Sequence, residues 1–311
     1  MSRRLIVSIL AVCLLVACGQ IIIQMPTGAL TTPLRTTFPK GYELLYSDAP
    51  YAFRYSYSGE PVRRGAVSER YELRNGDCSG TDCGTTHYRA EIRELPATTK
   101  AQLNGDIWYG WSFYNDNINA VTKDQSLGTV IGQWKMDGNQ PPVIRLTQAA
   151  TGEGNWATCD PTICNRNPDP ALDVVLDLED MRIGANWGPV QNFGSICKLF
   201  SMALNKGKWV DLVLNTNFGT NGNGYVRVWV NGTLMCDYHG RVVASAGDLS
   251  ARKGPGMRRG IFASYTQRWT DKFGSAPKPT MVVYYDEFLV GYSQQAVDTR
   301  MLDALLIPPK D

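Results

Sequence analysis

From residue 42 onward the chain runs in short apolar–polar alternations broken by Gly, Asn, Asp and Pro, a period-two pattern that predicts strands. His87-Tyr88-Arg89-Ala90-Glu91-Ile92-Arg93 is one such run. Successive side chains on a strand point to opposite faces, so His87, Arg89, Glu91 and Arg93 are expected on one face and Tyr88, Ala90 and Ile92 on the other. Leu127 to Met136, containing Gln133-Trp134-Lys135, reads as a second polar-faced strand, and Gly260 to Gln267 as a third. Asp106 to Tyr114 is predicted as a strand carrying Trp108 and Trp111, and Lys208 to Leu214 opens a strand pair. After the turn residues Gly219 to Gly224 comes Tyr225 to Val230, then Asn231-Gly232, then Leu234 to Tyr238. Asn-Gly between two such runs is a strong hairpin signal. Here Val226, Val228 and Val230 suit the space between two sheets, while Tyr225, Arg227 and Trp229 face the other way. A helical pattern appears only at Val297 to Leu306. The fold class expected is all-β, a sandwich of two antiparallel sheets.

The first residues stand apart. Arg3 and Arg4 precede an apolar stretch, Leu5 to Leu15, that is short for a permanent membrane span. Leu15-Val16-Ala17-Cys18 then resembles a bacterial lipobox, with Cys18 the lipidated residue of the mature chain. Residues 1–17 are read as a signal peptide and 18–41, with Pro26, Pro33 and Pro39, as a flexible lipid-anchored tether. Residues 42–292 form the domain and 293–311 a C-terminal tail. Gly19 points to the outer membrane, periplasmic or surface-facing. The lipid is the expected link to the membrane, and the chain is read as a monomer.

Charge changes the picture. The sequence holds 31 basic and 29 acidic residues; loss of Arg3 and Arg4 leaves 29 of each. A neutral chain argues against general nucleic-acid binding, so affinity for an anionic partner must come from local clusters. Arg252, Lys253, Arg258 and Arg259 make one such cluster. Of eight cysteines, six remain after Cys13 is cut off and Cys18 is lipidated. In an exported chain these read as disulfides. Spacing favours Cys78–Cys83, Cys159–Cys164 and Cys197–Cys236 over zinc, which two C-x4-C pairs and two histidines suit poorly.

The three polar-faced segments together resemble the motif set of jelly-roll polysaccharide lyases. Alginate lyases of that group carry R-x-E-L-R, Q-[IV]-H and Y-F-K-x-G-x-Y-N-Q in this order. The counterparts are Arg89 to Arg93, Gln133 to Lys135, and Arg258 to Gln267. The later pattern Trp209-Val210-Asp211, Val226 to Gly232 and Tyr284 to Gly291 is similar to the heparin lyase I and glucuronan lyase-like branch. The resemblance implies a concanavalin-like jelly roll and β-elimination on a uronic-acid-containing polysaccharide, glucuronan-like, alginate-like or heparin-like. It implies no catalytic metal and no cofactor, and leaves room for a structural calcium. Lys135 stands where alginate lyases have histidine. His87 instead offers a histidine two residues before Arg89, as glucuronan lyases do near this position.

A lyase removes the C5 proton of a uronate and expels the oxygen at C4, so the carboxylate that becomes an enolate must be stabilised. Gln133 is a neutral donor for it, assisted by Arg89 or His87. Tyr265 serves as base and acid together, or as acid with His87 as base. The catalytic set expected is thus His87, Arg89, Gln133 and Tyr265. Arg93, Lys135, Arg145, Arg227, Trp229, Arg259 and Gln267 are expected to bind the acidic chain. Glu91 reads as a structural ion-pair partner of Arg89, and His239 as peripheral. Two other readings stay open: a noncatalytic carbohydrate-binding lipoprotein, and a glycoside hydrolase on the same fold. The hydrolase reading lacks the E-x-D-x-x-E run such enzymes carry.

Overall fold

The computed structural model describes residues 37–45, 49–138, 140–150, 169, 171–184, 195–244 and 253–310. Cys18, Arg252 and the expected Cys159–Cys164 bridge lie outside them. Two seven-stranded antiparallel sheets face each other. The first runs β1 (Tyr42–Leu45), β4 (Tyr88–Glu94), β13 (Gly256–Ala263), β6 (Thr129–Lys135), β7 (Ile144–Gln148), β8 (Val174–Asp177) and β9 (Ser195–Phe200). The second runs β12 (Thr233–His239), β11 (Tyr225–Val230), β10 (Trp209–Thr216), β5 (Ile107–Asn115), β14 (Met281–Gly291), β3 (Glu69–Leu73) and β2 (Phe53–Tyr55). This is the expected sandwich. Half of the pairings join consecutive strands; the other half, β4 with β13 and β13 with β6 among them, join strands far apart in sequence.

Alternation puts Tyr71, Trp111, Phe113, Trp134 and Tyr285 into one core between the sheets, with Val226, Val228 and Val230 beside them. Asn231 and Gly232 take positive φ, 49° and 81°, as the hairpin requires. Cys197 on the edge strand β9 is bonded to Cys236 on the edge strand β12, which staples the two sheets along one side. In the chain-entropy model, closing a loop of this length contributes about 4 kcal/mol. Cys78 and Cys83 form a second bridge.

Two bulges set which side chains of the first sheet look outward. In β13 the register slips between Arg259 and Phe262, and in β6 between Val130 and Gly132. Gly260 permits the first: its φ is +123°, and a Cβ there would sit 2.2 Å from the Ala90 carbonyl oxygen. Tyr285 crosses the core from the second sheet, and its hydroxyl reaches the carbonyl oxygens of Ile131 and Gly260 at these bulges.

The outer faces of the two sheets differ. The second sheet is covered by the segment read as a tail. There α4 (Thr299–Ala304) and the turn before it bury Val297 and Leu302 against Val213, Leu289, Trp108 and Trp229. The outer face of the first sheet carries polar side chains instead.

Candidate active site

Cross-strand pairing lines up one row of polar residues on that outer face. Glu43 pairs with Arg93, Arg93 with Arg258, Arg258 with Gln133, Gln133 with Arg145, and Arg145 with Asp177. The row crosses six strands, β1-β4-β13-β6-β7-β8. Three segments far apart in sequence meet here because β4, β13 and β6 are neighbours.

Glu91 stands at the centre, fully buried on β4. Its carboxylate accepts from the Gln133 amide at 2.8 and 3.1 Å and from the Arg89 guanidinium at 3.0 Å. Arg89 also donates two bonds to Asp82, at 2.9 and 3.1 Å. Its guanidinium lies 4.2 Å from the Phe262 ring centroid. Arg89 is therefore clamped between two carboxylates, and Glu91 fixes the orientation of the Gln133 amide. Asp82 belongs to α1 (Thr81–Gly84), inside the loop that the Cys78–Cys83 bridge closes.

His87 lies one residue before β4. Its backbone N–H donates to the Asp82 carbonyl at 2.9 Å, and its ring meets Phe262 edge-on, centroids 5.3 Å apart. The Thr85 hydroxyl donates to the carbonyls of Thr81 and Asp82 at 3.0 and 3.2 Å. The same hydroxyl oxygen lies 3.1 Å from His87 Nδ1. The Asp82 carboxylate, 3.9 Å from Nδ1, favours a hydrogen on that nitrogen. In that tautomer Nε2 carries the lone pair. Burial pushes the imidazole below its ordinary 6.5; Asp82 opposes this and the Arg89 charge adds to it.

Tyr265 was expected on a strand, but β13 ends at Ala263 and Tyr265 caps α3 (Thr266–Phe273). Its backbone N–H donates to the Leu127 carbonyl at 2.8 Å. The ring lies on Gly128, where a Cβ would come within 2.2 Å of it. Gly128 leads into β6, so the tyrosine is held over the start of the strand that carries Gln133. Tyr265 is 45% exposed and within electrostatic reach of Arg145. The Thr266 hydroxyl donates to the Thr86 carbonyl, docking this helix start onto the segment that carries His87. Tyr265 and His87 thus share one end of the strands.

The expected binding residues divide. Arg93, Lys135 and Arg145 lie on the polar face. Arg93 is paired with Glu43, and Arg145 with Asp177 and with Glu179 of α2 (Glu179–Gly184). Lys135 donates to the carbonyls of Gly138 and Gln140. Burial, then the charges of Arg258 and Arg89, push its amine down to about 8. The rest go elsewhere. Arg259 points between the sheets, 3% exposed, bonded to Glu69 of β3 at 2.5 and 2.6 Å and held by the rings of Tyr42 and Phe288. It follows Arg258 on a strand, so it must face the opposite way. Arg227 and Trp229 are on the outer face of the second sheet. There Arg227 pairs with Asp237, and Trp229 stacks on Trp108 beneath the C-terminal segment. Gln267 is exposed on α3 and bonded to Asp271. His239 pairs with Asp237 on the edge strand β12, away from the polar face. Among the described residues, no three His, Cys, Asp or Glu side chains converge as a metal site.

The sequence reading missed Asp82 and Phe262, although each touches two of the expected residues. A signal for Asp82 was present: an acid flanked by the bridged cysteines, just before the His87 strand.

A family model described as polysaccharide lyase matches residues 40–289. The chain belongs to the polysaccharide lyase family. It is a carbon–oxygen lyase acting on polysaccharides. No curated protein matches the sequence. Among solved structures, the lyase is similar to an endo-β-1,4-glucuronan lyase from the fungus Trichoderma reesei. Identity is 14%, coverage is 83% of this chain and 97% of that one, and the TM-score is 0.48. It is also similar to alginate lyase A1-II′, a member of polysaccharide lyase family 7, at 12% identity, 79% and 85% coverage and a TM-score of 0.39. Cellulose induced protein Cip1 is a further similar structure, at 12% identity, 81% and 91% coverage and a TM-score of 0.41.

Proposed function

We propose that this lyase cleaves a uronic-acid-containing polysaccharide by β-elimination, with His87 as base and Tyr265 as acid. The observation that carries the reading is the setting of His87 Nδ1, 3.1 Å from the Thr85 hydroxyl and 3.9 Å from the Asp82 carboxylate. With the ring hydrogen on Nδ1, toward that carboxylate, Nε2 is left to take a proton. Nε2 removes the hydrogen at C5 of the uronate. The electrons form the C4–C5 double bond, the C4–O bond breaks, and the Tyr265 hydroxyl protonates the departing oxygen. No water is consumed.

Charge builds on the carboxylate as C5–H breaks. Gln133, oriented by Glu91, donates to it. Arg89 acts as a positioning residue, holding Glu91 and Asp82 in place. The polymer carries a carboxylate at each uronate, which suits the cationic side chains of the row. Glucuronan-like chains are the substrates favoured by a histidine at position 87. Incubation with glucuronan, alginate and heparin tests the reading by absorbance of the unsaturated product; absence of that product from all three would refute it.

The lipid anchor at Cys18 is proposed from sequence. Cys18→Ser should release the protein from the membrane fraction; unchanged fractionation would exclude it.

A further inference from the structure

Lys135 is two residues beyond Gln133 on β6 and points to the same face, about 7 Å further along the strand. Beside it opens a pocket of about 230 Å³. Arg93, Lys135, Lys253 and Arg258 line it, together with Glu94 and Asp137. Room for the pocket comes from Gly256, which pairs with Lys135 and presents no side chain. Glu94 faces the pocket from β4. It is buried, takes a bond from the Met257 N–H at 3.2 Å, and burial pushes its carboxyl above the ordinary range. Two hydrogens of the Lys135 ammonium go to the Gly138 and Gln140 carbonyls. An ammonium has three, so one remains for a ligand.

We propose that this pocket is an anion subsite. It holds the carboxylate of a uronate next to the one being cleaved. The proposal rests on the uronate reading above and extends it: substrate should be recognised through at least two carboxylates, one at Gln133 and one here. Arg258 links the two, since it pairs with both Gln133 and Arg93. The chemical end marked by His87 and Tyr265 lies on the opposite side of Gln133, so the subsite takes a sugar on one side of the scissile bond only. At the Lys135 amine, near 8, burial and the charges of Arg258 and Arg89 outweigh the acids Asp137 and Glu179.

The test uses oligoglucuronates of two to six residues with wild type, Lys253→Gln and Lys135→Met, all checked for unchanged thermal unfolding. For the hexamer, KM should rise about tenfold in Lys135→Met, which is about 1.4 kcal/mol. It should rise severalfold in Lys253→Gln, the scale of an exposed ion pair. In Lys253→Gln, kcat should stay within about threefold. The shortest cleaved oligomer that leaves the pocket empty should show no change in KM. Wild-type KM for the hexamer should climb above pH 8 as Lys135 loses its proton. Equal KM changes for short and long oligomers, or a loss confined to kcat, would overturn the subsite. If wild type cleaves none of these chains, the lyase reading on uronates fails separately, and hexamer titration then judges the pocket. Salt-sensitive binding weakened by Lys135→Met upholds it. Unaltered binding, or none in wild type, overturns it.

Discussion

The buried carboxylate of Glu91 accepts the side-chain amide of Gln133 at 2.8 Å, so a β4 residue orients a β6 residue from across β13. Hydrogen bonds to a charged group contribute about 1.5–3 kcal/mol. Glu91→Gln keeps the shape but offers the amide two alternative orientations. We expect kcat/KM to fall about tenfold to a hundredfold, with the far-ultraviolet circular dichroism unchanged. Activity within twofold of wild type would show that Gln133 needs no such guide.

Tyr265→Phe removes one oxygen from a ring packed on Gly128, so the fold should persist. General acids contribute about 10²–10⁴-fold, and kcat should drop by that order. His87 must be neutral to act as base. Its pKa is lowered, so kcat/KM should rise with pH and reach its half-maximum below 6.5. His87→Gln should abolish this acidic limb along with most activity. An acidic limb that survives the substitution would assign it to another group.

Much of this site was legible in the sequence. Period-two alternation placed Arg89, Glu91 and Arg93 on one face, and the valines of β11 on the other side of their sheet. The three polar-faced segments singled out in the sequence fall on the neighbouring strands β4, β13 and β6 or at their ends. What alternation alone does not reveal is where a bulge falls or which face of a sheet a later segment covers. Trp229 looks like a sugar platform on its strand; only the folded chain shows α4 lying over it. Tyr265 was misplaced onto a strand because the run from Gly260 keeps its β character up to the residue that caps α3.

Asp82 acts through others, holding Arg89 by two bonds and His87 through its carbonyl. Because Cys83 is its neighbour, the Cys78–Cys83 bridge fixes where it sits. Removing one partner of a buried ion pair costs about 3–5 kcal/mol. Asp82→Ala should therefore lower the melting temperature as well as activity. Cys78→Ser with Cys83→Ser should leave the core folded yet reduce kcat and shift the acidic limb of the pH profile. Wild-type kinetics in the bridge-free variant would mean that the loop holds its shape unaided.

Asp286 on β14 accepts backbone N–H groups from Arg63, Arg64 and Glu287 at 2.6, 3.2 and 2.8 Å. Burial still pushes its carboxyl up to about 7 from an ordinary 3.8. Between those values the unfolded chain releases a proton that the folded chain keeps, so this group's stabilising contribution is lost as pH rises through the window. Asp286→Asn should flatten the dependence of melting temperature on pH between about 4 and 7. Parallel wild-type and variant profiles would contradict the raised value.

The most direct measurement is the product of glucuronan cleavage in water enriched in heavy oxygen. The account predicts chains ending in a 4,5-unsaturated uronate, absorbing in the ultraviolet, with no heavy oxygen incorporated at the cleaved bond. Saturated ends carrying solvent oxygen would mean hydrolysis, and would contradict the elimination assigned to His87 and Tyr265.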